Sequence, residues 1–308
     1  MLTLAGQDFL RVTDYDASNI AALINLAAEL KAGQVRYRTE KTLGLLFYKA
    51  STRTRVSFSV AMHQLGGQVI DLNPKVTQVG RGEPIADTAR VLDRYLDILA
   101  IRTFAQTDLE QFASYAQIPV INALTDLEHP CQILADLLTV QENFGSLAGR
   151  TLTYVGDGNN VAHSLLLGCL LLDMNVRIAT PENYQPLPLI LEQAQTLVTR
   201  PDQLLVTQDP VVAVADSQVI YTDVWASMGQ EDLASERLPI FKPYQVNNAL
   251  MQAAAPDCIF LHCLPAHREE EVTDSVIEGP HSRVWDQAEN RMHAQKALII
   301  SLLGLKPA

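Results

Sequence analysis

The sequence LGLLFYKASTRTRVSFSVAMHQL, residues 43–65, passes from an apolar run through a polar turn into an amphipathic stretch. This order predicts a buried strand over residues 43–48 and a helix over residues 55–65. Two arginines, Arg53 and Arg55, fall at the start of that helix, where the helix dipole disfavours cations. A bound anion reverses this preference, because free N–H groups, hydroxyls and a guanidinium all attract negative charge. The turn therefore predicts a phosphate pocket, and the alternative is a Ser/Thr cap followed by two solvent-facing arginines.

Length and composition place the chain among soluble two-domain proteins. Its 308 residues exceed what one hydrophobic core of ordinary size accommodates. The hydrophobic share of 48% beside 19% charged residues is typical of a globular protein rather than a disordered one. A formal charge of −12 argues against nucleic acid and anionic membranes as partners, because both require a broad basic face. A phosphate pocket in this chain must therefore be a local region of positive charge on an otherwise acidic protein.

We expect a cytoplasmic protein with no metal and no organic cofactor. Asp8 interrupts the apolar run that a secretory signal needs, and the apolar residues 165–174 are far shorter than the ~20 residues of a membrane-spanning helix. The cysteines form no CxxC pair and lack the histidine spacing of zinc sites, which predicts reduced thiols. These cysteines are Cys131, Cys169, Cys258 and Cys263.

Strand-like and helix-like segments alternate through both halves of the chain, which is typical of parallel sheets covered by helices. The strands predicted in the first half are residues 43–48, 68–72, 98–102 and 119–123. The helices predicted between them are residues 18–32, 55–65, 85–95 and 109–116. The strands predicted in the second half are residues 151–155, 176–179, 204–207, 219–222 and 259–262.

Two longer helices are predicted where the halves join. Pro130 suits the first position of a helix that runs to the end of the first half, and residues 145–150 form a boundary after it. Residues 289–303 form a closing helix that can pack back on the first half. The predicted fold is α/β with two domains, residues 1–146 and residues 147–308, each a parallel sheet flanked by helices and joined by long interdomain helices.

Ligands of open α/β sheets bind beyond the carboxyl ends of the strands, and polar side chains gather at those positions here. Arg102 ends the third predicted strand, and the fourth leads to His129 and Gln132 at the start of a helix. The helix dipole lowers the pKa of an imidazole there, which favours a neutral histidine that can polarise a carbonyl. In the second half, Asp223 and Cys263 each follow a strand. Taken singly, these residues are also compatible with caps, turns or small core side chains.

The turn GDGNN, residues 156–160, follows a predicted strand and opens a helix, as in dinucleotide-binding folds. The third glycine position of that fingerprint is Val161, however, and no ribose-binding acid directly follows the next strand. A small zwitterion suits the two asparagines better, because amides serve both carboxylate and ammonium groups. A nicotinamide oxidoreductase is therefore the weaker alternative.

The motifs of the chain, taken in order, resemble those of the ornithine carbamoyltransferases over nearly its whole length. They are S-T-R-T-R at 51–55, R-T at 102–103, H-P-C-Q at 129–132, D-G-N-N at 157–160, D-V-W-A-S-M-G at 223–229, H-C-L-P at 262–265 and E-N-R-M-H at 289–293. The first and third motifs are shared with aspartate carbamoyltransferases and identify carbamoyl phosphate only. The segments at 223–229 and 262–265 indicate ornithine.

The resemblance implies a homotrimer, or a higher assembly of trimers, that makes L-citrulline and phosphate from carbamoyl phosphate and L-ornithine in arginine biosynthesis. It implies that the catalytic residues are Arg102, His129, Asp223 and Cys263. It assigns carbamoyl phosphate to Ser51, Thr52, Arg53, Thr54, Arg102, His129, Gln132, Cys263, Leu264 and Arg291, together with Gln78 from a neighbouring subunit. It assigns ornithine to Asn160, Asp223, Ser227 and Met228.

Two positions depart from the resemblance. Tyr48 stands where many relatives have glutamate, and Glu269 stands where glycine is common. Neither supplies a ligand in this interpretation, so we expect local changes in salt bridging or loop flexibility. A third alternative is a binding protein that kept the fold and lost the chemistry. Five intact polar residues argue against it: Arg53, Arg102, His129, Asp223 and Cys263.

Overall fold

The apolar runs of the sequence form two parallel sheets, each in its own compact unit. The computed structural model describes residues 4–226 and 234–308. The first unit comprises Met1–Leu138 and Glu289–Ala308, and the second comprises Thr139–Ala288. The predicted fold class, α/β with two domains, is confirmed.

The sheet of the first unit has the strand order β2-β1-β3-β4, and its pairings are parallel. The strands are β1 (Thr42–Phe47), β2 (Gln68–Leu72), β3 (Ile98–Arg102) and β4 (Val120–Leu124). The central strands β1 and β3 are buried almost throughout, because helices cover both faces of a parallel sheet, whereas the edge strand β2 is largely exposed. The predicted strands agree with these bounds to within one residue.

Five helices of the first half precede the second sheet: α1 (Ala17–Lys31), α2 (Arg53–Gln64), α3 (Ile85–Leu92), α4 (Gln106–Tyr115) and α5 (Pro130–Phe144). α1 begins after Asp16, whose carboxylate accepts a 2.8 Å hydrogen bond from Asn19 N as an N-cap. α5 begins at Pro130, as predicted. α2 begins two residues earlier than predicted, so both arginines of the turn lie in its first turn.

The sheet of the second unit has the order β7-β6-β5-β8-β9 and is also parallel. Its strands are β5 (Thr151–Val155), β6 (Asn175–Ala179), β7 (Leu204–Thr207), β8 (Val219–Thr222) and β9 (Ile259–His262). The helices are α6 (Asn160–Leu171), α7 (Pro188–Leu197), α8 (Pro210–Val214), α9 (Ala234–Phe241), α10 (Asn248–Gln252) and α11 (Asp274–Ile277). Residues 161–170 of α6 are all buried, as an apolar helix at the centre of a core should be.

The last helix, α12 (Val284–Leu302), begins five residues before the predicted start at Glu289. Gln287 N donates to Arg283 O at 2.9 Å, which places the first helical hydrogen bond ahead of the polar motif used for the prediction. Both α5 and α12 begin in one unit and end in the other, so the expected long interdomain helices are present.

Each sheet has a point where the strand order reverses, between β1 and β3 in the first and between β5 and β8 in the second. Connections on the two sides of such a point run in opposite directions, which opens a crevice at the carboxyl edge of the strands. Several sequence-predicted site residues follow these strands: residues 51–54 after β1, Arg102 at the end of β3, Asn160 after β5 and Asp223 after β8. Within residues 4–226 and 234–308, no helix combines the length and apolar character that crossing a bilayer requires.

Candidate active site

The turn between β1 and α2 places hydroxyls and a guanidinium at the reversal point of the first sheet. Thr52 is the N-cap of α2, and its side chain makes no capping hydrogen bond. Arg53 lies in the first turn and is partly buried, and no described carboxylate pairs with its guanidinium. The positive end of a helix, two hydroxyl residues and an available cation thus converge where an anion can bind.

Arg55, the second arginine of this turn, is engaged elsewhere. Its guanidinium forms an ion pair with Asp71 and lies over the ring of Phe47, 4.9 Å from the ring centroid. Both contacts draw the side chain toward β1 and β2 rather than to the turn. Of the two arginines, Arg53 is therefore the one that can receive a phosphate.

Arg291 of α12 joins the side chains of this pocket. It is only 3% exposed, and its Nη2 donates to Thr54 Oγ1 at 2.7 Å. Its Nη1 donates to Gln132 Oε1 and lies 3.4 Å from His129 Nε2. Gln132 Nε2 in turn donates to Asp136 Oδ1 at 2.8 Å, which turns the amide oxygen toward Arg291. A residue near the end of the chain thus organises three predicted ligands of carbamoyl phosphate.

His129 is held in its neutral form. Burial, followed by the charges of Arg291 and Arg102, keeps its pKa well below the usual value of 6.5. Because a guanidinium only donates, the contact with Arg291 makes Nε2 the acceptor and leaves the proton on Nδ1. The pKa is lowered, as predicted, but its causes are burial and the two cations, whereas the prediction rested on the helix dipole.

Arg102 and Gln78 occupy contrasting positions in the first unit. Arg102 ends β3, is 7% exposed, and accepts a 2.8 Å hydrogen bond from Tyr48 N through its carbonyl oxygen. Gln78 is exposed in a short 3-10 turn at 78–81, and within the described residues its side chain meets none of the other predicted ligands. In the first unit, Arg291 of α12 therefore contacts predicted anion ligands that follow the strands, whereas Gln78 does not.

In the second unit, Asp223 follows β8 and accepts two side-chain hydrogen bonds. Asn159 Nδ2 donates to its Oδ2 at 2.8 Å, and Cys263 Sγ donates to its Oδ1 at 3.0 Å. The oxygen of Asn159 also caps α6, because it accepts from Val161 N at 2.9 Å and from Ala162 N at 3.2 Å. The helix cap thereby fixes the carboxylate. Sequence reasoning treated both asparagines of this turn as suited to a zwitterion but missed that Asn159 caps α6 and orients Asp223, although an asparagine directly before a helix is an N-cap signal.

The remaining predicted site residues of the second half are Asn160, Ser227, Met228 and Leu264. Asn160 is the first residue of α6 and is partly buried. Ser227 and Met228 lie outside the described residues. Leu264 has a positive φ of 58°, a conformation that is uncommon for a side chain of this size. Its N–H donates to His262 Nδ1 at 2.8 Å, which holds this unusual backbone in place.

A buried polar network supports the loop that carries Cys263 and Leu264. Since Nδ1 of His262 accepts from Leu264 N, its Nε2 carries the proton and donates to Glu271 Oε1 at 3.2 Å. Glu271 also accepts from His267 N at 2.6 Å. Gln287 accepts from His262 N at 2.9 Å. Sequence analysis did not identify Glu271 or Gln287, because their only signal is polarity at a buried position.

Negative charge dominates the carboxyl ends of β5 and β8. Asp157 is buried, and burial raises its pKa even though Arg237 Nη1 lies 2.7 Å from its Oδ2 and opposes the rise. Asp223 lies close enough to add to the rise. Burial and these two carboxylates also raise the pKa of Tyr154 well above its usual value. The region therefore suits a cationic or amine-bearing ligand.

The thiols separate into two kinds. Burial raises the pKa of Cys131 to about 12 and that of Cys258 to about 12, so neither forms a thiolate near neutral pH. Cys263 is partly exposed and directs its sulfur at Asp223. Only this thiol, among those three, is placed to meet a ligand.

Among the residues that the structure describes, two groups of side chains have potential metal-ligand atoms close together: Asp223, His262 and Cys263, and also His267, Glu270 and Glu271. Neither group fits a metal as it stands. Both ring nitrogens of His262 are already hydrogen-bonded, and Glu271 is shared between that ring and a backbone N–H. A bound cation would have to break these buried contacts.

The backbone of residues 185–186 covers the glycine turn that follows β5. A Cβ added at Gly158 would lie 2.3 Å from Pro186 N, so the backbone at 185–186 packs directly on the turn. A dinucleotide requires its pyrophosphate to approach the turn at this point. The nicotinamide alternative is therefore disfavoured by the structure as well as by Val161.

The fold and these side chains define a two-domain α/β protein with one anion pocket and one carboxylate suited to an amine. Residues 7–142 match the family model "Aspartate/ornithine carbamoyltransferase, carbamoyl-P binding domain", and residues 148–302 match "Aspartate/ornithine carbamoyltransferase, Asp/Orn binding domain". The chain belongs to the aspartate/ornithine carbamoyltransferase family.

Named relatives and solved structures agree with this family assignment. The chain is 65% identical over 304 residues to the ornithine carbamoyltransferase of Nostoc punctiforme, with 99% of each chain covered. The solved ornithine carbamoyltransferase of Pyrococcus furiosus has a TM-score of 0.95 at 51% identity, with 99% of each chain covered. That of Gloeobacter violaceus has a TM-score of 0.89 at 55% identity, with 98% of this chain and 100% of the other covered. The resemblance predicted from the motifs is confirmed.

Proposed function

We propose that the chain is an ornithine carbamoyltransferase, which transfers the carbamoyl group of carbamoyl phosphate to the δ-amine of L-ornithine. The products are L-citrulline and phosphate. The observation that carries the proposal is the carboxylate of Asp223, oriented by Asn159 and Cys263 within a negatively charged region. Relatives that are 60% identical or more over nearly the whole chain bear this name.

Carbamoyl phosphate binds in the first unit. Its phosphate group is held at the N-terminus of α2 by the guanidinium of Arg53 together with Ser51, Thr52 and Thr54. Gln132 and Arg291 hold the carbamoyl end, where they contact each other. The family resemblance also assigns Cys263 and Leu264 to this ligand.

The carbonyl oxygen of the carbamoyl group is polarised by three donors. His129 offers the proton on Nδ1, Arg102 offers its guanidinium, and Thr54 offers its hydroxyl proton, since its oxygen already accepts from Arg291. These donors stabilise the oxyanion that forms when the amine attacks. A neutral histidine suits this task, because it donates without adding a third positive charge beside two arginines.

Ornithine binds in the second unit, where Asp223 and Cys263 orient its δ-amine and Asn160, Ser227 and Met228 contact the rest of the molecule. Transfer from water to a desolvated site lowers the pKa of the ammonium and favours the nucleophilic amine. The new N–C bond forms first, and the C–O bond to phosphate breaks when the oxyanion collapses. The departing phosphate accepts the proton that the amine releases, so the reaction needs no dedicated general base.

The charge of the second unit supports ornithine over aspartate. The side-chain carboxylate of aspartate would approach the carboxylate of Asp223, and like charges at short range cost free energy, whereas Asp157 is already paired with Arg237. An amine at the same position forms a charge-assisted hydrogen bond with Asp223 instead. Asp223 thus favours one substrate and disfavours the other.

The assembly and the cellular role are further parts of the proposal. Gln78 is exposed on a polar turn and makes no described hydrogen bond to the residues of the anion pocket, which supports its use by a neighbouring subunit in a homotrimer. The chain then acts in the cytoplasm in arginine biosynthesis, without a metal or organic cofactor. Tyr48 and Glu269 do not enter this chemistry. Glu269 has a positive φ of 67°, which explains why glycine suits that position.

The deciding experiment measures citrulline formation from carbamoyl phosphate with purified protein in the presence of EDTA. Ornithine is compared with aspartate, putrescine and N-acetylornithine at equal concentration. We expect turnover with ornithine that far exceeds turnover with the other three. Equal or greater turnover with aspartate contradicts the substrate assignment, and loss of activity on chelation contradicts the cofactor-free mechanism.

A further inference from the structure

A second basic region of the first unit lies apart from the anion pocket. It is a cleft of about 470 Å³ at the far end of α2, and its cationic lining consists of Arg36, Arg38, His63 and Lys296. Apolar side chains, among them Leu30, Val35 and Leu65, form the rest of its wall. The described residues that line it include no aspartate or glutamate. In a chain of formal charge −12, such a local concentration of positive charge favours the binding of an anion.

Lys296 is the buried member of this group. It is 7% exposed, and its Nζ donates to Gln64 Oε1, a neutral acceptor. Burial alone lowers its pKa, and no described carboxylate opposes that effect. A buried ammonium is expensive unless a counter-charge or several hydrogen bonds accompany it. An anion in the cleft supplies the charge that the protein itself does not.

Arg36 and Arg38 are positioned for the same anion. They flank Tyr37, whose backbone forms an antiparallel bridge with Pro307, and Arg36 O accepts a 2.9 Å hydrogen bond from Ala308 N. Arg36 and Arg38 both line the cleft. Neither has a described ion-pair partner, and both side chains are exposed.

We propose that this cleft binds a small phosphorylated molecule, at a site distinct from the carbamoyl-phosphate pocket. Two guanidinium forks and an ammonium carry a formal charge of +3, which matches a diphosphate better than a single carboxylate. The volume falls within the roughly 300–1,000 Å³ of small-molecule sites, so the apolar wall accommodates an organic body beside the phosphates.

The cleft is separate from the active site along α2. Thr54 lies in the first turn of that helix, whereas Gln64 is its last residue. Ten residues of helix separate them by ~15 Å, more than the length of a diphosphate group. The Arg53→Ala variant tests whether the two sites bind anions independently.

The test is calorimetric titration of the full-length protein with inorganic pyrophosphate and with ADP. The parent protein carries Arg53→Ala, which weakens anion binding in the carbamoyl-phosphate pocket. We expect this parent still to bind pyrophosphate, and Arg36→Gln/Arg38→Gln added to it to weaken binding by about tenfold or more, because two charge-assisted contacts are lost. Both substituted side chains are exposed, so the variant should fold normally.

Arg94→Gln is the matched control, because Arg94 is exposed in the same unit and does not line the cleft. It should leave binding unchanged. Lys296→Met should weaken binding as strongly as the double variant does. Tighter binding of ADP than of pyrophosphate supports a ligand with an organic body. The proposal is overturned if Arg53→Ala alone abolishes binding, if Arg94→Gln weakens it as much as the double variant, or if citrate binds more tightly than both phosphates.

Discussion

Arg291 Nη2 lies 2.7 Å from Thr54 Oγ1, although the two residues stand 237 positions apart in the sequence. Both side chains are buried. Because the guanidinium always donates, it occupies an acceptor position of the hydroxyl and leaves the hydroxyl proton to point elsewhere. The contact therefore makes the Thr54 hydroxyl a hydrogen-bond donor, as the proposed mechanism requires.

Arg291→Met should lower kcat/KM by about 100-fold or more while leaving the chain folded. The substitution removes the contacts to Thr54, Gln132 and His129, and each charge-assisted contact contributes about 1.5–3 kcal/mol. Steady-state kinetics measure the effect. Arg291→Lys should not restore activity, because one ammonium cannot reproduce the planar fork. Full rescue by lysine would show that charge alone matters at this position.

Arg53→Ala should weaken carbamoyl-phosphate binding by about 1.5–3 kcal/mol, whereas Arg55→Ala should weaken it far less. The two arginines share one helical turn, but Arg55 is paired with Asp71 and stacked on Phe47. The rise in melting temperature caused by carbamoyl phosphate is the readout. An equal loss in both variants would mean that the turn acts through its overall charge rather than through Arg53.

Asp223→Asn and Cys263→Ala should each raise the KM for ornithine and lower kcat, with carbamoyl-phosphate binding nearly intact. Asn159→Ala tests the support of the carboxylate separately, because it removes both the 2.8 Å contact to Asp223 and the cap of α6. It should impair ornithine use and also destabilise the fold by about 1 kcal/mol. Unchanged kcat and KM values for ornithine in all three variants would contradict the proposed ornithine site in the second unit.

The buried neutral His129 should make stability depend on pH. Its pKa in the folded chain lies below the usual value of 6.5, so the unfolded chain binds more protons under mildly acidic conditions. The free energy of unfolding should therefore fall as the pH drops below about 6.5, by up to about 1.4 kcal/mol per pH unit. His129→Gln should flatten that slope in denaturant titrations at several pH values.

His293 provides the internal control for this experiment. Burial also lowers its pKa, and it is present in both proteins, so the variant should keep a smaller slope of the same sign. An identical pH dependence in parent and variant would show that His129 is not the titrating group.

Subunit mixing tests whether Gln78 serves a neighbouring pocket. Gln78→Ala and Arg102→Ala should each be severely impaired, and this is established first. After dissociation and reassembly, mixed trimers should contain some pockets with both wild-type residues, and activity should return. If mixed trimers form and remain inactive, Gln78 acts within its own chain or not in the site at all.

Sequence patterns predicted the strands to within about one residue in most cases because each strand is a short apolar run closed by polar or turn residues. The position of Asp223 and Cys263 after β8 and β9 followed from the same reasoning, since strand ends converge in a parallel sheet. The start of α12 at Val284 did not, although Gly279-Pro280 and Ser282 precede it, because the prediction placed the helix start at the polar motif of residues 289–293.

The partners of the predicted residues were beyond sequence reasoning. Asn159 and Asn160 are the same residue type, so the sequence does not distinguish them. The backbone conformation at the start of the helix determines that Asn159 caps α6 and contacts Asp223. The ion pair of Arg55 with Asp71 likewise depends on the pairing of β1 with β2. Local composition determines which residue types lie near a site, and tertiary contacts determine which of them bind.

The contribution of α12 to the first unit has a consequence for biosynthesis. A ribosome that has completed β1 to β4 and α1 to α5 has made every other strand and helix of that unit, yet Arg291 and Lys296 are still missing. The hydroxyl of Thr54 and the amide of Gln132 then lack their organising guanidinium. The nascent chain therefore cannot trap carbamoyl phosphate in an ordered pocket until translation has passed the whole second unit.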